Sequence, residues 1–173
     1  MPNVEMFYFA ALLFVFPATV IYAGATDLVT MTISNRLTMG LVAAFVVLAV
    51  WSGMPLALIG NHVLAGGVAL AVGVVFFARG WIGGGDAKLC AATALWIGWD
   101  LLFEYVLVST VLGGLLTLGI LMFRATPISM TVLRMDWLAR LHYRDTGIPY
   151  GISLAAAGLM VYTKSFWFQG AWG

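Results

Sequence analysis

Two aspartates have the residue type and surroundings to do chemistry. Asp27, in Ala25-Thr26-Asp27, and Asp86, in Gly83-Gly84-Gly85-Asp86, each close a hydrophobic segment. An ionisable group at the edge of hydrocarbon is costly to keep, so its presence asks for a reason. Taken singly, either reads equally well as a boundary charge. Brought together in a partly desolvated site, two carboxylates cannot both ionise easily, so one keeps its proton while the other is free to act as a base. Such a pair can activate water: the ionised member takes a proton from it, the protonated member polarises a scissile carbonyl, and the tetrahedral intermediate collapses without a covalent enzyme adduct. No nucleophilic Ser, Cys or Lys is then needed. The three glycines before Asp86 suit the same chemistry, because residues lacking Cβ permit unusual backbone angles and let a substrate strand approach closely.

The other polar residues have plainer readings. Glu5, Asp100 and Glu104 fall at helix ends, where hydration accounts for them, and Asp136 and Asp145 sit among arginines in a polar loop. His62, beside Asn61, reads as a hydrogen-bonded packing residue, with no second His, Cys or carboxylate at metal-ligand spacing. Neither a metal nor a cofactor is expected. Cys90 is the only cysteine, which excludes an intrachain disulfide and a cysteine-based zinc cluster. Lys88 reads first as a headgroup-seeking charge at a helix boundary and second as support for the Asp86 charge or a hold on substrate. Pro149 and Tyr150 read as a helix start with an interfacial aromatic.

The elements that must position the aspartates are membrane helices. Of the 173 residues, 63% are hydrophobic and 9% charged, and apolar runs recur along the whole length. A net charge of +1 with dispersed basic residues excludes nucleic-acid binding. Six segments can be drawn, Met6–Tyr22, Leu37–Trp51, Pro55–Ala78, Ala87–Trp99, Leu101–Phe123 and Ile148–Tyr162, predicting an all-α polytopic bundle of six transmembrane helices in one membrane-embedded domain, residues 1–173. The first run follows Glu5 rather than a basic stretch and has no small-residue cleavage site after it, so it is expected to be retained as a span. Six spans place Arg36, Arg79, Lys88, Arg124, Arg134, Arg140 and Arg144 on one side and leave Lys164 on the other. The positive side is cytoplasmic, which puts both termini outside and both aspartates at the cytoplasmic face.

The fourth segment is short for a span, at roughly 20 Å. Irregular backbone below the membrane surface is tolerated only where protein buries it or water reaches it. Asp86 is therefore expected in a wet, glycine-lined notch just inside the membrane, with Asp27 approaching from the end of the first helix. The polar stretch between Arg124 and Thr146 fails as an amphipathic helix, because Arg134 and Arg144 project with Met130, Leu133, Trp137 and Leu141. It reads as a loop anchored at the headgroups, with a substrate-docking surface as the alternative. Phe166, Trp167, Phe168 and Trp172 read as an outer aromatic belt, and Gly66, Gly67, Gly73, Gly113 and Gly114 as close-packing positions.

Several motifs together, namely Asp27 followed by Thr32-Ile33-Ser34-Asn35-Arg36-Leu37, the run Gly83-Gly84-Gly85-Asp86-Ala87-Lys88-Leu89, and the late Ile148-Pro149-Tyr150-Gly151, resemble those of the prepilin peptidases. These are membrane aspartic peptidases that process type IV pilin precursors, and the likeness is to the short forms of Flp (tight-adherence) pilus systems. The resemblance implies that Asp27 and Asp86 are the catalytic pair, that Gly83, Gly84 and Gly85 shape the site, and that Lys88 and Asn35 are candidates for substrate or electrostatic support. It also implies a substrate, a pilin-like precursor whose short basic leader is cut where it meets a hydrophobic helix, at the cytoplasmic face of the inner membrane and among its lipids. Ile33-Ser34-Asn35 departs from the Ile-Pro-Asn frequent in the family, which predicts a less rigid loop. The larger bifunctional members carry paired cysteines in a methylating region that this chain lacks, so cleavage without N-methylation is expected. Two other classes stay open on the residues alone: a small ion-coupled transporter or channel subunit, and a non-catalytic pilus or secretion assembly component.

Overall fold

The structure, a computed structural model, describes the backbone of residues 2–129, 134–143 and 146–172, and side chains from residue 14 to residue 169 within those ranges. It contains eight helices among the described residues: α1 (Pro2–Thr30), α2 (Asn35–Trp51), α3 (Leu56–Ala78), α4 (Gly84–Ile97), α5 (Trp99–Ala125), α6 (Asp136–His142), α7 (Gly151–Tyr162) and α8 (Phe166–Trp172). Met130, Leu133, Arg144, Asp145 and the side chains of Glu5 and Trp172 lie outside the described residues.

α4 is the axis of the bundle. It packs against α1, α2, α3, α5 and α7, and from Ala91 to Ile97 every residue is buried. Its partnership with α3 depends on glycine: a Cβ at Gly66 would stand 3.1 Å from the Leu95 Cβ, and one at Gly73 would stand 3.0 Å from the Ala87 Cβ. The pairing runs antiparallel, with small residues one heptad apart on α3 facing α4 and bringing the two backbones close. α7 is held between α1, α4 and α5 in the same way, with Gly24 of α1 against Ala155 and Gly158 against Thr93. Gly67 and Gly114, by contrast, have no neighbour within 4 Å of an added Cβ, so they do not serve the packing role expected of them.

α3 and α5 are long and apolar enough to cross a membrane, and most of their apolar surface faces outward. Phe77, Phe103, Leu115 and Met122 are all well exposed. A soluble protein would bury such helices, whereas lipid is the solvent that leaves them so. Shorter apolar helices, Asn35–Trp51 and Gly151–Tyr162 among them, complete the bundle.

Cross-helix contacts define its two ends. At one, Lys88 donates to Asn35 Oδ1 at 2.8 Å, Gly151 N–H meets Asp27, and the Arg124 guanidinium donates to the carbonyls of Leu141, Thr146 and Gly147. At the other, Lys164 pairs with Glu104 at 2.6 Å, and Asn61 Oδ1 accepts from the Trp99 N–H, where Gly98 turns the chain at φ +87° between α4 and α5. His62 is buried at that second end, its Nδ1 2.8 Å from the Leu95 carbonyl and its ring between Phe45 and Trp167. It is a packing histidine.

Several expectations are corrected. α1 does not stop near Tyr22 but continues to Thr30, so Asp27 lies inside the helix; Thr26 and Thr30 hydroxyls bond back to the carbonyls of Ala23 and Thr26 and hide their polarity in the helix itself. α7 begins at Gly151 rather than Ile148. The polar stretch after Arg124 is not all loop, since Asp136–His142 forms a helix that buries Leu141. The aromatic belt is overturned at its centre: Trp167 is fully buried against Trp96, Phe45 and His62, and Phe168 packs on Tyr162. α8 folds back because a wall of aromatic rings at that end offers an indole more contact than the interface does.

Candidate active site

Asp86 is the third residue of α4, whose preceding cap residue is Gly83. Here a carboxylate can turn back on the cap, and an added Cβ at Gly83 would stand 2.9 Å from Asp86 Oδ2. The other oxygen, Oδ1, is buried and has no hydrogen-bond partner. Asp86 is half-buried overall and lines a cleft of about 810 Å³ between α3, α4, α5 and α7. Cys90, one turn further along α4, lines the same cleft.

Asp27 is carried by the last turn and a half of α1 and is buried. Its Oδ2 accepts from the Gly151 N–H at 2.8 Å, the first backbone donor of α7, where the helix gathers partial positive charge. Each carboxylate thus sits at a helix N-terminus, Asp86 in that of α4 and Asp27 against that of α7. Gly151 donates to Asp27 and its neighbour Tyr150 lines the cleft with Asp86, so both carboxylates lie at the same end of the bundle. The pair expected from sequence is brought together at one end of the bundle.

What closes the distance is the segment between α1 and α2. Met31 adopts a left-handed conformation, φ 55°, while its N–H still bonds to the Asp27 carbonyl at 2.8 Å. A non-glycine residue there is uncommon and strained. The turn throws Ile33 onto the glycine run, where an added Cβ at Gly85 would stand 3.1 Å from the Ile33 Cβ. Ser34 caps α2 by accepting from the Arg36 N–H at 3.3 Å. Gly84 has a different neighbour, the Phe77 ring at 3.3 Å. The three glycines therefore admit three different things: a carboxylate, an aromatic ring and the Ile33 loop.

Lys88 and Asn35 bind each other across α4 and α2. They line a separate groove between α2, α3 and α4, away from the cleft that Asp86 opens into. Lys88 is exposed, and two residues along a helix from Asp86 it points to a different face. Among the described residues, no three His, Cys, Asp or Glu side chains gather to hold a metal ion.

Residue-by-residue reading missed the Gly151 N–H, the strained Met31 and the position of Tyr150. Tyr150 packs its ring on Gly113, brings its hydroxyl within 3.2 Å of Thr117 Oγ1 and lines the Asp86 cleft rather than serving only as an interfacial aromatic. The available signal was the Pro149-Tyr150-Gly151 motif taken whole.

A buried carboxylate, Asp27, and a half-buried one, Asp86, thus lie at one end of an all-helical membrane bundle. Residues 14–118 match the profile of the type IV leader peptidase family, and the chain belongs to that family. It is 27% identical over 160 residues to the prepilin leader peptidase/N-methyltransferase of Aeromonas salmonicida and likewise to that of Aeromonas hydrophila. Each alignment covers 85% of this chain and 44% of the relative, so the chain spans less than half the length of the curated relatives it matches. No solved structure matches it.

Proposed function

We propose that this chain is an aspartic endopeptidase of the cytoplasmic membrane that removes the short basic leader of type IV, Flp-like prepilins and pilin-like proteins, with Asp27 and Asp86 activating water. The observation that carries this reading is the placement of the two carboxylates, 59 residues apart in sequence, at one end of the bundle beside an open cleft. Membership of the type IV leader peptidase family supports it. Asp27 is held by the first backbone donor of α7, and Asp86 presents an unpartnered oxygen, Oδ1. The peptidase unit is a single domain of six spans with both termini extracytoplasmic and the aspartates at the cytoplasmic face. On this reading the 173 residues cleave without themselves adding an N-methyl group, since they hold a single cysteine and no paired set.

Co-expression with a precursor that has a basic leader and one hydrophobic helix tests the reading. Asp27→Asn and Asp86→Asn should each lower leader removal by about 10²- to 10⁴-fold, the usual worth of a positioned acid or base. Leader removal that survives either substitution would overturn the catalytic assignment. Mass analysis of the new N-terminus checks that it carries no methyl group.

A further inference from the structure

Two grooves flank α4, nearly equal in size at about 820 and 810 Å³ and both overwhelmingly apolar. Size does not distinguish them; chemistry does. The groove between α2, α3 and α4 has Asn35 and Lys88 at its rim and Gly67 in its wall, and no carboxylate. The cleft between α3, α4, α5 and α7 has Asp86 in its wall.

The second cleft is also elongated along the bundle, most of all on its α5 wall. Along α5 it is lined from Leu102 to Leu118. That wall rises about 24 Å and the facing α3 wall, Val68 to Phe76, about 12 Å, room for at least two turns of a seated helix. Asp86, Gly73, Phe76 and Tyr150 mark one end of this trough and Leu102 the other. Gly114, on the wall near Asp86, has nothing within 4 Å of an added Cβ. It takes no part in packing the bundle, and a glycine facing an open trough is where a second helix can come close.

We infer that this cleft seats the hydrophobic helix of the precursor, with the peptide bond that precedes that helix delivered to Asp86. The inference rests on the proposed peptidase reading and adds to it the path by which substrate lies in the membrane. A bond cut at the boundary of a membrane helix requires the helix to leave the carboxylates along the bilayer, and this trough begins at Asp86 and runs in that direction. An acyl chain or a second copy of this chain would fit the same apolar walls but would have no use for the carboxylate at its end.

Gly114→Leu and Gly67→Leu fill one groove each without a steric clash, since neither position has a neighbour. For a membrane precursor, Gly114→Leu should raise KM at least about tenfold while Gly67→Leu stays within about twofold, as loss of close helix packing requires. For a soluble peptide holding only the leader and cut site, Gly114→Leu should leave kcat/KM unchanged. Equal effects of the two substitutions, or a larger one from Gly67→Leu, would overturn the docking assignment. A readout independent of turnover uses the Asp86→Asn protein with a photo-crosslinking residue at Leu118 and, as control, at Met39 of the other groove. An adduct with precursor from position 118 alone supports the inference; adducts with lipid or with a second copy only, or no adduct, overturn it. If no precursor is cleaved by the unsubstituted protein but the adduct still forms, docking stands and the peptidase reading falls.

Discussion

A methyl group at residue 151 would stand 2.8 Å from Asp27 Oδ2 and 2.9 Å from its Cβ, so Gly151→Ala must push that carboxylate off its donor. Misplacement of about 1 Å costs on the order of 10²-fold, and leader removal by Gly151→Ala should fall by about that factor while helical circular dichroism stays unchanged. Ser34→Pro should have the opposite character. Ser34 already sits at φ −68° and ψ 135°, angles proline prefers, and its N–H has no acceptor among the described residues. The substitution should fold, leave cleavage intact and shift stability by no more than about 1 kcal/mol, since the gain of about 0.4–1 kcal/mol from a stiffer unfolded chain is offset by loss of the 3.3 Å cap bond. The loop expected to be loose is instead held by Ile33 on Gly85 and by the Asn35 to Lys88 bond. Asp27, Asp86 and the glycine run were legible because carboxylates and absent side chains are conspicuous at a hydrocarbon boundary. The donor to Asp27 was not, because a backbone N–H has no residue type to announce it.

Among the elements, the α3 and α4 pair is the one that a single residue can part. Gly73→Leu forces side-chain atoms into the Ala87 backbone and should cost about 1–3 kcal/mol, the usual price of overpacking. Gly119→Leu on α5, where nothing lies within 4 Å, should be neutral or slightly stabilising by helix propensity. Unfolding midpoints in detergent compare the two directly. Hydropathy found the long helices but misjudged their ends, since Thr26 and Thr30 satisfy their hydroxyls within α1 and let it run on past its apolar stretch. The shortness of α4 was legible, and enclosure by five other helices accounts for it: a helix surrounded by protein can cross on fewer residues than one that faces lipid.

On the scale of the whole molecule, the bundle has a chemical end and an aromatic end. Trp167→Ala removes a fully buried indole from the latter and should cost about 3–5 kcal/mol, yet leave cleavage by the remaining folded protein near normal, because Trp167 packs at the end away from the aspartates. The alternation of charges, read from sequence as a topology, is open to direct labelling: in a Cys90→Ala background, cysteines at Arg79 and Lys164 should react with an impermeant reagent from opposite sides of the membrane. The aromatic end was misread because an interfacial belt and a buried cluster draw on the same residues, and only the return of α8 onto Trp96 and Phe45 separates them. One consequence concerns biosynthesis. The bond from Gly151 to Asp27 joins residues 124 apart, and Gly151 lies beyond residues 14–118, where the family match ends. A nascent chain that has inserted α1 to α5 already holds both aspartates but not the donor that fixes one of them, so it should stay inert until its last third leaves the ribosome. On the proposed reading, chains ending before Ile148 should insert into membranes and cleave nothing, and assays of such truncated chains beside the full chain check it.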